Sequence, residues 1–588
     1  MFICIDGEGA SEKNSYFLLA DSTGRSVHGE NLSRTQILDF LFSLPPSKKK
    51  IMFGLTYDAN MWLRALMLPR KILERISKCV PTHFRIGSDE YIIHFVPRKK
   101  FVISKKNESG KYEAVTLTDI YGFFQSSLVG AMSRCPEKFT NLEKIAVYKT
   151  RRAEFDYKDL AGIKRYCIWE CCAADKLAEE VREVEKLLGV DIREYSGAGS
   201  FASAILRKII PKPDPDKFLA YDENIVDRAY FGGRVEMVRI GTSPRFSLHD
   251  INSAYADALV AIASFASARR LRLDQVEFDF PPAEFYPLPF RQSNGNVIFP
   301  RKGKGWYYFF ESLNPQIEGM KIIKSVTFPN PIFGLDFSIL GTYFNLRKKV
   351  NPLQARIVKL ALAALYGKFA QHRGSHGNPY FSRLVAGAVT SFVRARLYFR
   401  AKSFQDEGIC AFATDSILTE HRPMRDTSAL CTGEGLGQWR QTEGSHLLTA
   451  QPGVYFFEEE GGIEKKATRG FEKNMLDRFK IIEFWKSNGS DRMKNIMPLE
   501  ATRFVTLPSA LTGNFSDWGK WVKEKIEFDL TGESEKRTGF VGKWNPWERA
   551  VLLNPAENLS DEESAPYTAH SERDQSDIRE EEREEFLG

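Results

Sequence analysis

At 588 residues the chain is too long for a single hydrophobic core, and several domains are expected. Its 43% hydrophobic and 27% charged residues are those of a soluble globular protein; no run of 18 apolar residues offers a membrane span, and the opening MFICIDGEGA lacks the basic and apolar regions of a secretory signal. The formal charge of +7 conceals an asymmetry, because residues 557–588 hold 12 acidic and 3 basic residues, a net of −9 that leaves +16 on the rest.

Such an excess of cations suits a polyanionic partner, since each Lys or Arg placed on a phosphate releases counterions. The eight cysteines, at 4, 79, 135, 167, 171, 172, 410 and 431, include no CxxC pair. They read as reduced, mostly buried thiols rather than a zinc site.

In chain order, Phe2 to Ile5 predicts a short buried strand and Lys50 to Leu55 ends in another. Lys158 to Leu188 has the periodicity of one long helix. PKPDPDK at 211–217 reads as a linker, and the Phe-, Tyr-, Pro- and Gly-rich stretch from about 270 to 340 as short strands and loops. Arg356 to Gln371 returns to helix, as does the segment from His376 to Phe404, and Ile409 to Leu418 reads as strand–turn–strand. From Pro555 onward the composition is that of a disordered acidic tail.

Two sets of carboxylates stand out. Asp6 and Glu8 alternate on the first strand and so face one side, where they can share a metal. A lone DxE is commonly a solvated turn, but Asp58 in FGLTYDANMW also follows an apolar run, and YCIWE adds Tyr166 and Glu170 on the long helix. At about 100° per residue Glu170 lies about 40° around from Tyr166, whereas Asp175 lies about 180° away. Glu170 is therefore the expected partner of the other carboxylates. Four carboxylates and a tyrosine suit a two-metal nuclease, with the tyrosine orienting the attacking water.

The second set begins at Asp250 in FSLHDINSAYADAL, with Tyr255 five residues on. In KLALAALYGKFAQ, residues Lys359, Ala363 and Tyr366 fall within about 40° of one another on a helix. That stripe suits a triphosphate at Lys359 and a nascent base pair against Tyr366. In ATDSIL, Asp415 sits at a tight turn, so Asp250 and Asp415 are candidates to bind two Mg²⁺ for nucleotidyl transfer.

In this order the segments resemble the motif series of family B DNA polymerases, most of all the compact viral and linear-plasmid enzymes, many of them protein-primed. The resemblance runs from Asp6 to about Arg469. DxE, YD and YxxxE look like the three exonuclease motifs, and Ser127-Leu128 is similar to a single-strand-contact motif. YFGG, with Tyr230, Gly232 and Gly233, looks like the YxGG turn that touches template. DINSAY resembles motif A, KLALAALYG motif B and ATDS motif C; LGQW at 436–439 and EKKATRG at 464–470 are similar to the segment ending in the primer-gripping lysine motif. The departures are Ala256 for the usual Pro, Ala363 for Asn, Ala413 for the first Asp of motif C, Glu170 for Asp and Thr468 for Tyr.

The resemblance implies an RNase H-like 3′→5′ exonuclease domain followed by a right-hand palm, fingers and thumb, an α/β and α+β multidomain fold. The expected division is exonuclease 1–190, linker with the YFGG turn 191–244, palm and fingers 245–440, palm end and thumb 441–554, and tail 555–588. It further implies template-directed DNA synthesis with proofreading, two Mg²⁺ per active site (Mn²⁺ as substitute), and primer-template DNA and dNTPs as partners. Lys359 with Arg347 is expected on the triphosphate, Tyr255 under the sugar, and Lys466 and Arg469 on the primer backbone. A monomer in the cytoplasm is expected.

Priming by a terminal protein or by an oligonucleotide stays open. Asp250 to Lys359 spans 109 residues, room for a modest insertion of the protein-primed kind, whereas the 49 from Tyr366 to Asp415 leave little for a second, so moderate processivity is expected. Two other readings are an exonuclease whose decayed polymerase half serves as a DNA-binding platform, argued from Ala363 and Ala413, and a purely structural nucleic-acid binder, which leaves both carboxylate sets unexplained.

Overall fold

The computed structural model describes residues 2–10, 14–312, 317–372, 378–404, 408–420, 432–459, 461–472, 474–488, 495–532, 537–540, 546–547, 550–555 and 563–568. The N-terminal sheet has eight strands in the order Ser26–His28, Ser15–Asp21, Phe2–Ala10, Lys49–Met52, Tyr112–Asp119, Lys100–Lys106, Asp89–Val96 and Thr82–Ile86. Phe2–Ala10 runs parallel to Lys49–Met52, which runs parallel to Tyr112–Asp119; the remaining neighbours are antiparallel. The long helix Leu160–Leu188 packs its buried face, including Tyr166, Cys167, Glu170 and Cys171, over the first two strands of the chain. That covers the mixed sheet on the side where its near-continuous apolar strand needs cover.

The opening strand extends through Ala10, further than its apolar run alone suggests. Its glycines explain the extension. A Cβ on Gly7 would lie 1.7 Å from Tyr16 Oη and 2.6 Å from Asp58 Oδ1, and one on Gly9 2.3 Å from Tyr57 Oη. The DGEG pattern thus lets the strand carry two carboxylates while the aromatic side chains press against its backbone.

The second large sheet lies where the palm is expected. Its path is Ile463–Thr468, Val454–Glu459, Trp439–Gln451, Arg239–Ile251, Ser416–Glu420, Ile409–Thr414 and Arg234–Met237, with Val551–Pro555 paired to the start of Arg239–Ile251. Helices Ala254–Ser264 and Arg383–Lys402 pack on each other across it. A three-stranded sheet (Lys302–Tyr308, Arg270–Asp279, Met320–Pro329) occupies the aromatic-rich stretch, as expected. Helices Ile339–Leu346 and Pro352–Ala363 follow, in the stretch expected to hold the fingers, and Ile496–Phe504 with Trp521–Asp529 form a two-stranded hairpin in the stretch expected to hold the thumb.

Three expectations need correction. The helix of motif B is not continuous: Pro352–Ala363 ends at Ala364 and Leu365–Ala370 starts there, so a wheel drawn through both does not describe one cylinder. The 211–217 stretch includes a short helix, Pro215–Phe218, capped by the Asp214 carboxylate. Within the acidic tail, residues 563–568 are packed on the protein, with Ser564 fully buried; residues 556–562 and 569–588 lie outside the described residues. Among the described residues no helix is long and apolar enough to cross a membrane.

The segment 504–518 joins a distant part of the chain to the N-terminal sheet. Phe504, Val505, Leu507, Ala510 and Trp518 belong to the same apolar core as Ile3, Ile5, Leu55 and Trp62. Buried Asn60 fixes the join, its Oδ1 accepting from Leu507 N (2.7 Å) and from Trp518 Nε1 (2.9 Å).

Candidate active sites

The first carboxylate set assembles as the alternation and the helical face predict. Asp6 and Glu8 point to one side with Cys167, and the ligating atoms of the three lie within 4.8 Å of one another. Asp58 arrives in the first turn of helix Leu55–Ala65, just after its apolar run. The start of that helix is held by the buried Asp119, whose carboxylate accepts from Gly54 N (3.1 Å), Leu55 N (2.9 Å) and Tyr121 N (2.9 Å). A carboxylate on first-turn amides satisfies donors the helix cannot use. Asp58 is then aimed by Tyr16, whose hydroxyl donates to Oδ1 at 2.6 Å while accepting from Trp62 Nε1 at 3.1 Å.

Glu170 joins them and Asp175 does not. Glu170 lines a cavity of about 510 Å³ together with Asp6, Glu8, Asp58, Ser127 and Leu128, whereas the Asp175 carboxyl is hydrogen-bonded to Ser22 outside it. Thr502, Phe504, Thr506 and Trp521, from the hairpin Ile496–Phe504/Trp521–Asp529 and its exit, form another wall. Tyr166 is fully buried, its hydroxyl accepting from Arg152 Nε at 3.0 Å.

Lys149 and Arg152 escaped the sequence reading. Lys149 Nζ is 2.8 Å from Glu170 Oε1, and Arg152 Nη2 lies 2.8 Å from Glu170 Oε2 and 3.3 Å from Glu8 Oε1. The signal was present as a run of cations at 149–152, but only the packing of helix Leu142–Thr150 against Leu160–Leu188 directs it inward.

The electrostatics are those of a cation site. Burial, then the charges of Glu170, Glu8 and Asp58, push the Asp6 carboxyl well above its usual range. Burial raises Glu8 to about 7 against the pull of Arg152, and Asp58 to about 8 against the Tyr16 hydrogen bond. Burial opposes ionisation of Glu170 as well, but Lys149 and Arg152 outweigh it and hold the carboxyl down at about 2. Buried like charges resist ionising together unless a cation joins them, so these residues fit divalent metal.

The second set meets in the middle of the second large sheet. Asp250 is paired with Ser416 in the register of neighbouring strands, and Ile251 N donates to Asp415 O at 3.0 Å, so the two aspartates are neighbours across the sheet. The backbone is strained beside both: Thr414 has φ +64° and Ser253 φ +50°. Left-handed non-glycine residues are costly and cluster at functional sites.

Burial raises the Asp250 carboxyl, opposed by Arg440 and Lys359; burial and the Asp250 charge push Asp415 up to about 7. Burial, Arg347 and Arg356 in turn lower the Lys359 ammonium, while Asp250 and Asp415 draw it the other way. Arg347 Nη1 donates to Ser253 Oγ at 3.3 Å, beside motif A. Arg440, another residue the sequence reading missed, faces Asp250 across the strand pair with Nη2 at 3.4 Å from Oδ2. Two carboxylates and a ring of cations fit metal ions together with a polyphosphate.

Tyr255 and Tyr366 stack with centroids 4.4 Å apart and planes at 18°, despite the break at Ala364. Gly233 of the YFGG turn abuts this pair: a Cβ there would lie 2.5 Å from Tyr255 Oη and 2.8 Å from Thr414 Cγ2. The turn is held from behind by buried Arg394, which donates to Phe231 O (2.7 Å) and Gly232 O (2.6 Å) and pairs with Glu311. Gly437 of LGQW is also required, since a Cβ there would meet the Asp257 carboxylate at 2.2 Å; its N donates to Asn252 O at 2.9 Å, binding LGQW to DINSAY.

Ala413 is the penultimate residue of the strand Ile409–Thr414 and packs against an apolar cluster with Leu248, where the family pattern has a carboxylate. Lys466 lies half-buried on Ile463–Thr468 with Nζ donating to Leu476 O at 3.2 Å, and Arg469 follows, exposed.

Two carboxylate centres thus stand in one multidomain fold, and comparison supplies the class that the fold resembles. Residues 111–382 match the sequence model of the family described as DNA polymerase type B, organellar and viral. The fold is similar to that of Phi29 DNA polymerase complexed with primer-template DNA and incoming nucleotide substrates, at a TM-score of 0.59 and 13% identity over 90% of this chain and 99% of that one. Phi29 DNA polymerase complexed with single-stranded DNA gives 0.58 and 14% over the same shares, and its post-translocation binary complex 0.57 and 13% over 90% and 100%. No curated protein matches in sequence. The resemblance to compact, viral-type family B polymerases is borne out, and with it the multidomain fold and the enzyme class, a DNA-directed DNA polymerase.

Proposed function

We propose that this polymerase adds deoxynucleotides to a primer 3′-hydroxyl at Asp250 and Asp415, and trims mispaired 3′ ends at Asp6, Glu8, Asp58 and Glu170. The observation that carries the first half is the approach of Asp250, on its strand, to Asp415, in the turn leading into the neighbouring strand, with Lys359, Arg347 and Arg440 around them. Both sets of carboxylates would hold Mg²⁺, two ions per site, with Mn²⁺ as substitute; the bound ions supply charge that favours deprotonation of the nucleophile and balances the leaving oxygen.

The chain's own residues do the rest. Lys359 and Arg347 hold the triphosphate, and Tyr255, supported by Tyr366 on one side and Gly233 on the other, packs under the sugar and excludes a 2′-hydroxyl. Tyr230, Gly232 and Gly233 contact template, and Lys466 and Arg469 the primer backbone. In the trimming site, Lys149 holds the scissile phosphate, Tyr166 positions Arg152 and Glu170 from beneath the cavity, and the thumb wall admits a single-stranded end past Ser127 and Leu128.

Primer-template DNA and incoming nucleotides, held by the Phi29 enzyme in its complexes, are the partners assigned here. We assign the exonuclease to 1–190, palm and fingers to 245–440, and palm end with thumb to 441–554, in a monomeric, cytoplasmic enzyme. The three-stranded sheet between motifs A and B fills the place of a first insertion, which favours a terminal protein as primer, while Arg383–Lys402 takes much of the interval before motif C and favours moderate processivity.

Primer extension on a primed template with and without Mg²⁺ tests the main reading; extension that fails in every metal while single strands are still degraded would leave the decayed-polymerase alternative, and loss of both activities the structural binder. Covalent transfer of labelled nucleotide to a neighbouring protein's hydroxyl, absent with oligonucleotide primers, tests the priming.

A further inference from the structure

The acidic C-terminal stretch holds a short segment whose place neither charge nor the family motifs explain. Ser564 N donates to Lys304 O at 2.8 Å, and its Oγ accepts from Arg291 N at 2.9 Å. Ala565 N donates to Arg291 O at 3.0 Å and Tyr567 N to Asp227 O at 2.8 Å. Glu563 accepts from Gln275 Nε2 at 2.9 Å and from Arg228 Nη1 at 3.3 Å. Six consecutive residues thus bind a helix, a two-stranded hairpin and the three-stranded sheet at once.

The segment delivers one ring to one place. Tyr567 meets Tyr230 edge-on, with centroids 5.0 Å apart and planes at 86°, and the guanidiniums of Arg291 and Arg383 stand 5.4 and 5.0 Å from its centroid. Arg383 is itself paired with Asp227, and Arg291 Nη2 donates to Tyr230 O at 2.9 Å. Tyr230 opens the YFGG turn, whose far end, Gly233, touches Tyr255 and Thr414. Close packing transmits displacement, so a shift at Tyr230 reaches the residue under the nucleotide sugar within one turn of chain.

We propose that Tyr567 is a positioning residue for the template-contact turn and, through Gly233, for Tyr255. The C-terminal segment is then a working part of the polymerase site rather than a tail. This inference rests on the polymerase reading above. A role confined to stability would lower extension and excision together; a positioning role separates them.

The experiment uses the full-length chain carrying Tyr567→Ala or Tyr567→Phe. It measures affinity for a primer-template by fluorescence anisotropy, KM and kcat for dNTP, dNTP-over-rNTP selectivity, excision of single-stranded DNA, and unfolding temperature. Tyr567→Ala is expected to weaken primer-template binding about fivefold, the scale of a lost aromatic and cation–π contact. It should also raise the dNTP KM and lower selectivity, with excision and unfolding temperature unchanged. Tyr567→Phe, which keeps the ring, should match the wild type. Equal affinity and selectivity in Tyr567→Ala, or a parallel fall of extension, excision and unfolding temperature, overturns the proposal. If Tyr567→Ala does not fold, Tyr567→Leu, which keeps the bulk without the ring, carries the same expectations. A wild type that does not extend primers overturns the polymerase reading instead.

Discussion

The two carboxylate centres solve opposite electrostatic problems. The N-terminal centre crowds four carboxylates into a cavity, and Lys149 and Arg152 offset part of that charge from within a few ångströms of Glu170. The palm centre has two carboxylates, one on a strand and one in the turn entering the strand beside it, outnumbered by Lys359, Arg347 and Arg440. A site that cleaves one phosphodiester at a strand end needs concentrated negative charge to hold metal. A site that receives a triphosphate needs surplus positive charge before the substrate arrives. The balance of fixed charge around each centre therefore matches its assigned substrate.

The strongest way to break that contrast is to remove one palm carboxylate. Asp415→Ala or Asp250→Ala should lower primer extension by about 10³-fold or more, since metal-ion stabilisation is worth several kcal/mol. Excision of a single-stranded 3′ end should stay within about twofold of wild type, because the other centre is untouched. Extension that survives in Asp415→Ala would remove Asp415 from motif C.

The reciprocal change comes next. Glu170→Ala, or Asp6→Ala with Glu8→Ala, should reduce 3′→5′ degradation by about 10²- to 10³-fold while extension persists. Asp175→Ala should degrade DNA normally. A gel assay on labelled single strands that shows Asp175 essential and Glu170 dispensable would refute the assignment of faces on the long helix.

A smaller effect is expected at the stacked tyrosines. Tyr255→Val removes the ring that Tyr366 and Gly233 hold in place, and dNTP-over-rNTP selectivity, read as a ratio of kcat/KM values, should fall by about 10- to 100-fold. Unchanged selectivity would mean that the stack only fills space.

The smallest effect is on stability. Burial raises Asp415 and Glu8 to about 7 and Asp58 to about 8, so the folded chain holds protons that the unfolded chain releases near pH 4. Their contribution is present below pH 4 and is lost as pH rises through 7 to 8. Mg²⁺ binds only the ionised carboxylates of the folded state, so it should raise the unfolding temperature by a few degrees at pH 8.5 and by less at pH 5.5. Equal shifts at both values would mean that the metal acts elsewhere.

Sequence alone determined which residues carry charge chemistry and which way each local element presents them. Alternation on a strand put Asp6 and Glu8 on one side, the 3.6-residue period separated Glu170 from Asp175, and the apolar runs around Asp415 marked a strand–turn–strand. These are properties of a few consecutive residues, so periodicity encodes them. Tertiary structure decided what stands opposite. Arg440 reaches Asp250 only through antiparallel register, Lys149 and Arg152 reach Glu170 only because one helix folds back on another, and Asn60 ties Leu507 and Trp518, about 450 positions away, to the helix of Asp58, beside the Thr502, Phe504, Thr506 and Trp521 that wall the cavity. The break at Ala364 and the docking of Tyr567 on Tyr230 are of the same kind. Such contacts depend on the packing of distant surfaces, whose complementarity is spread over many residues and leaves no periodic trace in any one segment.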